Sequence, residues 1–470
     1  MLFNSASFLV FLFVILVVSA LLRGNARMVF VILASYFFYG VGGWQFVPLL
    51  LMSTLNDFSV GKQIYKNRGN RAKQRSWLIV SIATNLGLLG VFKYAGFFAT
   101  GANQLAAVFG GPELLPVFQI ALPAGISFYT FQSMSYSIDI YRNRLEPEPL
   151  FLRFVFFVSF FPQLLAGPIV RAAEFLPQIN NAKFLDRRNI APALDLLFLG
   201  FFKKVVIADN ISPIVDKIYA RPEIYSAPEL WMATIGFSIQ IYCDFSGYSD
   251  IARGLARLFG YDLPINFRTP YFSSGIREFW RRWHITLSFF LRDYVYIPLG
   301  GSHRGRFRNL CNLLGTWLLT GLWHGAGWNF ILWGLLHGLA MVAERILDFV
   351  APRLKAWVPR PVTVVLTFCF VTLAWVPFRA EQTADILIIY YGMFSPEQWT
   401  IELRQDLLFY LPIPAVILLS LLVQVLKPAG RDSNIFDRLP IGIRPLVITL
   451  GALLIVILSG DTQTFIYFRF

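Results

Sequence analysis

The sequence predicts an all-α protein that crosses a lipid bilayer many times, and three observations lead there. Hydrophobic residues make up 56% of the 470 and charged residues 14%, where a soluble domain carries about 25% charged residues. The mean hydropathy is +0.58, so the chain cannot assemble a water-compatible surface and lipid must be its solvent. Apolar stretches of bilayer-spanning length recur along the whole chain, and in hydrocarbon a helix satisfies its backbone groups within one segment.

The expected spans lie near 4–22, 28–55, 77–96, 116–133, 150–170, 191–208, 228–243, 283–300, 309–322, 326–348, 361–378, 406–426 and 443–460. Counting re-entrant pieces separately, this suggests about eleven crossings. Met1 to Leu22 carries no charge, and Arg23 follows the apolar run instead of preceding it. That order suits an uncleaved first transmembrane helix better than a secretory signal. The second stretch is expected to break at Gly40 to Gly43. Phe161-Pro-Gln-Leu-Leu-Ala-Gly-Pro168 reads as a re-entrant piece, because broken backbone at membrane depth must be buried in protein or line a wet cavity. No internal repeat, low-complexity tract or soluble domain is visible. Residues 1–470 therefore read as one integral-membrane domain, with a motif-bearing core at about 120–345.

The net charge of +14 fits loops that set orientation and meet anionic headgroups. No basic run carries the zinc spacing or RNP-type pattern of a nucleic-acid module. Lys62 to Arg75 holds six basic residues and no acid. Arg277 to Arg308 holds seven arginines against Glu278 and Asp293. Both segments are expected to face the cytoplasm. Cys243, Cys311 and Cys369 lie far apart within apolar segments and read as small core residues.

The chemistry has few candidates. Three of the four histidines, His284, His324 and His337, sit in apolar, aromatic settings; His303 belongs to a basic loop and reads as a surface residue. An ionisable group at membrane depth is a functional candidate by default, and a neutral imidazole suits a general base acting on a hydroxyl. The bland alternative is a histidine hydrogen-bonded to a carbonyl between helices. For His324 the flanks favour chemistry: Gly321, Gly325 and Ala326-Gly327 let backbones approach or break the helix, which would leave the imidazole beside a cavity. For His337, framed by Gly334 and Gly338, support of helix packing is the better reading. On one unbroken helix the two would stand about 140° apart, so a shared site needs a break at Gly325 to Gly327.

Trp280, Trp283, His284 and Leu287 fall at i, i+3, i+4 and i+7, which predicts one helical face. Arg281 and Arg282 lie beside it and Ser288 follows. Such a face could guide an acyl chain while its guanidinium rim binds an anionic carrier. Equally, it could be an interfacial helix with tryptophan anchors and snorkelling arginines. No G-x-S-x-G elbow, HExxH, P-loop or dinucleotide GxGxxG occurs, so direct transfer with histidine as base fits better than a covalent enzyme intermediate. No metal site is expected.

Together, Phe128-Tyr-Thr-Phe-Gln132, Asp244-Phe-Ser-Gly-Tyr-Ser-Asp250, Phe279-Trp-Arg-Arg-Trp-His284, Leu291-Arg-Asp-Tyr-Val-Tyr-Ile-Pro-Leu-Gly-Gly301 and Gly321-Leu-Trp-His-Gly325 resemble the membrane-bound O-acyltransferase (MBOAT) family. The nearer resemblance is to its branch that O-acetylates alginate, cellulose or peptidoglycan; the teichoic-acid D-alanyl branch is more distant. It runs from the N-terminus to about residue 345, beyond which the match is in hydropathy alone. The resemblance implies a ring of helices around a thinned centre, with a funnel from each side meeting at the histidines. His324 matches the catalytic histidine and His284 the second one, with Trp280, Arg281, Trp283, Ser288, Trp323, Asp244 and Tyr248 as candidate substrate contacts. It implies no bound cofactor. By the same resemblance the donor is expected to be a cytoplasmic thioester, either acetyl-CoA or an acyl carrier protein. The resemblance further implies periplasmic partner proteins that take the acyl group to a polysaccharide hydroxyl, and a bacterial inner membrane as the setting. Two rivals remain from the sequence: a transporter without bond chemistry, which internal symmetry would favour, and a scaffold of an export complex.

Overall fold

The structure is a computed structural model, and the account below covers residues 1–117, 120–351, 357–399, 443–460, 463, 465 and 466. Among these residues every regular element is helical. In chain order the α-helices are α1 (Ala6–Leu21), α2 (Gly24–Gly40), α3 (Val47–Lys66), α4 (Arg71–Leu89), α5 (Ala95–Val108), α6 (Ile126–Tyr141), α7 (Phe151–Ser159), α8 (Phe161–Leu164), α9 (Ala172–Phe175) and α10 (Arg187–Phe201). They continue with α11 (Asp209–Ala220), α12 (Ala227–Leu258), α13 (Ile276–Arg282), α14 (Ile285–Leu291), α15 (Arg306–His324), α16 (Trp328–Val350), α17 (Arg360–Arg379), α18 (Thr383–Phe394) and α19 (Arg444–Ile457). The chain divides into two compact units, Met1–Ala193 with Ala252–Pro264, and Leu194–Ile251 with Ile265–Phe470.

In the first unit the helix boundaries follow local chemistry. The Ser5 hydroxyl accepts from the Phe8 amide and so caps α1, and the Asn70 side chain caps α4 by accepting from Lys73. The break expected at Gly40 to Gly43 is present. Trp44 folds back over Gly40 so closely that a Cβ there would meet its indole at 2.5 Å, and the chain resumes as α3. α3, α4 and α6 pack around a wholly buried carboxylate, Asp57. Its Oδ1 accepts from Ser81 Oγ at 2.5 Å and Ser137 Oγ at 3.2 Å, and its Oδ2 accepts from Asn85 Nδ2 at 2.7 Å. The re-entrant reading of 161–168 meets a single helical turn, α8, followed by irregular backbone that is buried throughout. Gln132 and Gln163 both donate to the Phe157 carbonyl, at 2.9 and 2.5 Å, on the way into it.

In the second unit α15 and α16 form a tight hairpin. Gly321 and Gly334 face each other at the crossing: a Cβ on either would strike the partner helix's backbone, while Gly338 abuts Leu314 and Trp317. The pairs of glycines spaced four apart in the sequence thus serve helix–helix approach. α12 runs for 32 residues and carries Asp244 and Asp250 into ion pairs with Lys204 and Lys203, at 2.8 and 2.6 Å. Those lysines lie in a π-helical turn, Phe202–Ala208.

Among the described residues, three helical stretches are long and apolar enough to cross a membrane: Arg71–Val108, Trp328–Val350 and Arg360–Arg379. α1, α18 and α19 are shorter apolar helices. This is fewer than the sequence suggested. Long elements such as α12 owe the shortfall to interior Gln240, Asp244 and Asp250, which lower their apolarity while remaining buried. The stretch expected near 406–426 lies outside the described residues.

Candidate active site

The site is built where two chain breaks in the second unit bring histidines among tryptophans. α15 ends on His324; Gly325 and Gly327 are extended, and α16 starts at Trp328. The break required at Gly325 to Gly327 is therefore there. Phe330 packs where a Gly325 side chain would go. The His324 imidazole is boxed by aromatic rings, with centroids of Trp323 and Trp333 at 4.8 Å and Phe378 at 5.2 Å, all edge-on.

The single helical face predicted for Trp280 to Leu287 is overturned. α13 stops at Arg282, Trp283 is extended, and His284 takes a left-handed backbone with φ of 41° before α14 begins. A non-glycine residue rarely adopts that conformation, and it persists where the surroundings enforce it. Here the 266–268 segment does so. The Arg268 amide donates to the Arg282 carbonyl at 2.9 Å, and the Ile285 amide donates to the Asn266 carbonyl at 3.0 Å. The kink turns His284 fully inward.

Hydrogen bonds then assign its tautomer. Asn266 Oδ1 accepts from the Thr286 amide at 3.3 Å and the Thr286 hydroxyl at 2.9 Å, so it is the acceptor for His284 Nδ1 at 3.2 Å as well. His284 therefore carries its proton on Nδ1, and Nε2 holds the lone pair. Phe245 lies edge-on to this ring at 4.6 Å, and Trp323 at 6.1 Å. Trp323 thus touches both His284 and His324.

His337 joins the same cluster. Trp333 contacts it at 4.8 Å, the same centroid distance as to His324. Trp280 Nε1 donates to His337 Nδ1 at 3.2 Å. Trp283 stacks on Phe279 at 5.5 Å and meets Trp375 at 5.1 Å.

Other expected contacts lie elsewhere. Arg281 is exposed, on the side of α13 away from its buried neighbour Trp280. Ser288 is half-buried and donates weakly to the Trp283 carbonyl at 3.4 Å. Asp244 pairs with Lys204 and accepts from the Ile466 amide at 2.7 Å, and Tyr248 packs on Phe465 at 4.8 Å. Their intervening neighbour Phe245 is the residue that reaches His284. His303 is exposed in its loop. Among the basic residues, Arg277 pairs with Asp348 and Glu344, Arg282 with Glu278 and Arg292 with Asp293. Arg304, Arg306 and Arg308 are exposed.

Sequence reasoning missed Phe245, Asn266, Trp317, Trp333, Trp375 and Phe378. A signal existed for two of them: Trp317 stands seven residues before His324, with Thr320 and Gly321 between on the same face, and Trp333 four before His337. No comparable signal pointed to Asn266. Among the described residues no group of three or more His, Cys, Asp or Glu side chains could hold a metal ion.

Similarity to known proteins says which class of membrane protein carries these tryptophan-walled histidines. Residues 143–379 match the membrane-bound O-acyltransferase family, and the chain belongs to it. It is an acyltransferase by that membership. It is 39% identical over 388 residues to the peptidoglycan O-acetyltransferase of Helicobacter pylori, covering 77% of this chain and 72% of that one. It is 38% identical over 430 residues to the probable alginate O-acetylase of Azotobacter vinelandii, covering 90% and 84%. A probable alginate O-acetylase of Pseudomonas putida aligns over the full length of both chains at 34% identity.

Proposed function

We propose that the protein moves an acetyl group from a cytoplasmic thioester to a hydroxyl on the outer side of a bacterial inner membrane, for O-acetylation of an exported polysaccharide. The relatives named for alginate and peptidoglycan support the acyl group and the acceptor class. About eleven crossings arranged as a ring with a central funnel would let donor and acceptor meet from opposite faces. The donor is acetyl-CoA or an acetylated carrier protein, and periplasmic partner proteins complete the modification.

The observation that carries this reading is the aromatic box around His324. His324 takes the proton from the acceptor hydroxyl as its oxygen attacks the thioester carbonyl. The tetrahedral intermediate collapses, the C–S bond breaks, and the proton passes to the departing thiolate, leaving an ester and a free thiol. His284, with its lone pair on Nε2, assists as a hydrogen-bond acceptor; Trp323 holds the two rings in one wall. Trp333 and Phe378, packed against the imidazole, would limit the acyl group to a short one. Exposed Arg281, Arg304, Arg306 and Arg308 draw in the anionic donor.

A thioester-consumption assay on the purified protein in nanodiscs, with acetyl-CoA, acetylated carrier protein and octanoyl-CoA in parallel, tests this. One of the acetyl donors should be consumed at least about tenfold faster than octanoyl-CoA. Phe378→Ala should narrow that ratio by enlarging the box. Consumption of none of the three would remove the enzymatic reading, and equal use of all three would remove the role of the box.

A further inference from the structure

The hydrogen bond between Trp280 and His337 is not used by the chemistry above. It joins residues 57 positions apart in the chain, and both side chains are buried. Indole nitrogen donates and never accepts, so His337 Nδ1 must be the unprotonated acceptor and the ring proton sits on Nε2. That is the opposite tautomer to His284. It also removes His337 from the list of possible bases, since its one lone pair is already engaged. Nε2 has no hydrogen-bond partner among the described residues, and aromatic rings surround the imidazole: Phe279, Trp280, Trp317, Trp333, Phe370 and Trp375.

The position of this pair explains why a polar contact is kept in so apolar a setting. Trp280 lies on α13, three residues before the Trp283–His284 kink that turns His284 inward. His337 lies on α16, one turn after Trp333, the ring that touches His324. Trp280 also packs at 4.3 Å on Trp317, two turns before His324 on α15. One hydrogen bond therefore ties the segment that presents His284 to the hairpin that presents His324. Packing alone tolerates sliding of tryptophan rings past each other, whereas a directional bond between buried groups does not, because breaking it strands a donor and an acceptor out of water.

We infer that His337 is a positioning residue for the acyl transfer: by accepting from Trp280 it locks α13 onto α16 and sets the register of His284 against His324. This rests on the proposed function, and it makes the bond's acceptor atom, and not the imidazole's acid–base chemistry, the part that matters.

The test uses full-length protein in nanodiscs, with the acetyl donor that the wild type consumes, and compares His337→Phe, His337→Gln, Trp280→Phe and the Trp280→Phe/His337→Phe double variant. Phenylalanine keeps the ring and loses the acceptor; glutamine keeps an acceptor carbonyl within reach of the indole. His337→Phe and Trp280→Phe should each lower kcat about tenfold while KM for the thioester stays within about threefold, and the double variant should be no worse than the weaker single. His337→Gln should recover to within about threefold of wild type. Thermal melting of each variant reports folding, and should His337→Phe not fold, Trp280→Phe carries the test by itself. Wild-type kcat in folded Trp280→Phe would overturn the inference, as would equal losses in the glutamine and phenylalanine variants of His337. A wild-type protein that consumes no donor would instead count against the proposed function.

Discussion

Two buried polar centres, one in each unit, are built on opposite plans. Asp57 is saturated: two serine hydroxyls and an asparagine amide point at its two oxygens, and Asn85 accepts in turn from Ser53 Oγ at 2.9 Å. His284, His324 and His337 of the second unit sit among rings, with one hydrogen bond fixing the tautomer of His284 and another that of His337. The difference separates two uses of buried polarity. A carboxylate on one helix whose oxygens accept from two neighbouring helices cements all three. Aromatic rings, and at His284 and His337 one hydrogen bond that fixes the tautomer, define the surroundings of the second centre.

Breaking the first centre should therefore cost stability and spare chemistry. Asp57→Ala strands the Ser81, Ser137 and Asn85 groups, with an expected loss of about 2–4 kcal/mol. In melting experiments that is a clear fall in Tm, while kcat per folded molecule stays near wild type. A folded Asp57→Ala protein with no transfer activity would erase the distinction between the two centres. A smaller effect sharpens the comparison from the surface. Neutralising Arg304, Arg306 and Arg308 together to glutamine should raise KM for the anionic donor by about threefold to tenfold, lower kcat less, and flatten the salt dependence of KM. An unchanged, salt-insensitive KM would confine that loop to setting orientation.

Much of this was readable in the residues. The all-helical fold, the break at Gly40 to Gly43, the buried irregular stretch after Phe161 and the placing of His324 at a helix end all follow from hydropathy and glycine or proline positions. The site's inner geometry was not. The kink at His284 depends on Asn266 and Arg268, which lie earlier in the chain and bond only once the fold brings them there, so helical periodicity ran straight through it. Asp244 and Tyr248 share a motif with Phe245, yet successive positions on α12 point in different directions, and only Phe245 reaches His284. Asp57 is a missed opportunity, because a lone carboxylate within an apolar stretch is itself a signal.

The account stands most directly on His324. Acetyl transfer by His324→Ala, measured per folded molecule in nanodiscs beside donor binding, isolates its role, since the substitution deletes the proposed base and leaves the arginine-rich loop intact. The account predicts a loss of at least about a hundredfold in kcat, with donor affinity within about threefold of wild type. Transfer near the wild-type rate would contradict it and leave the aromatic box as packing for a scaffold.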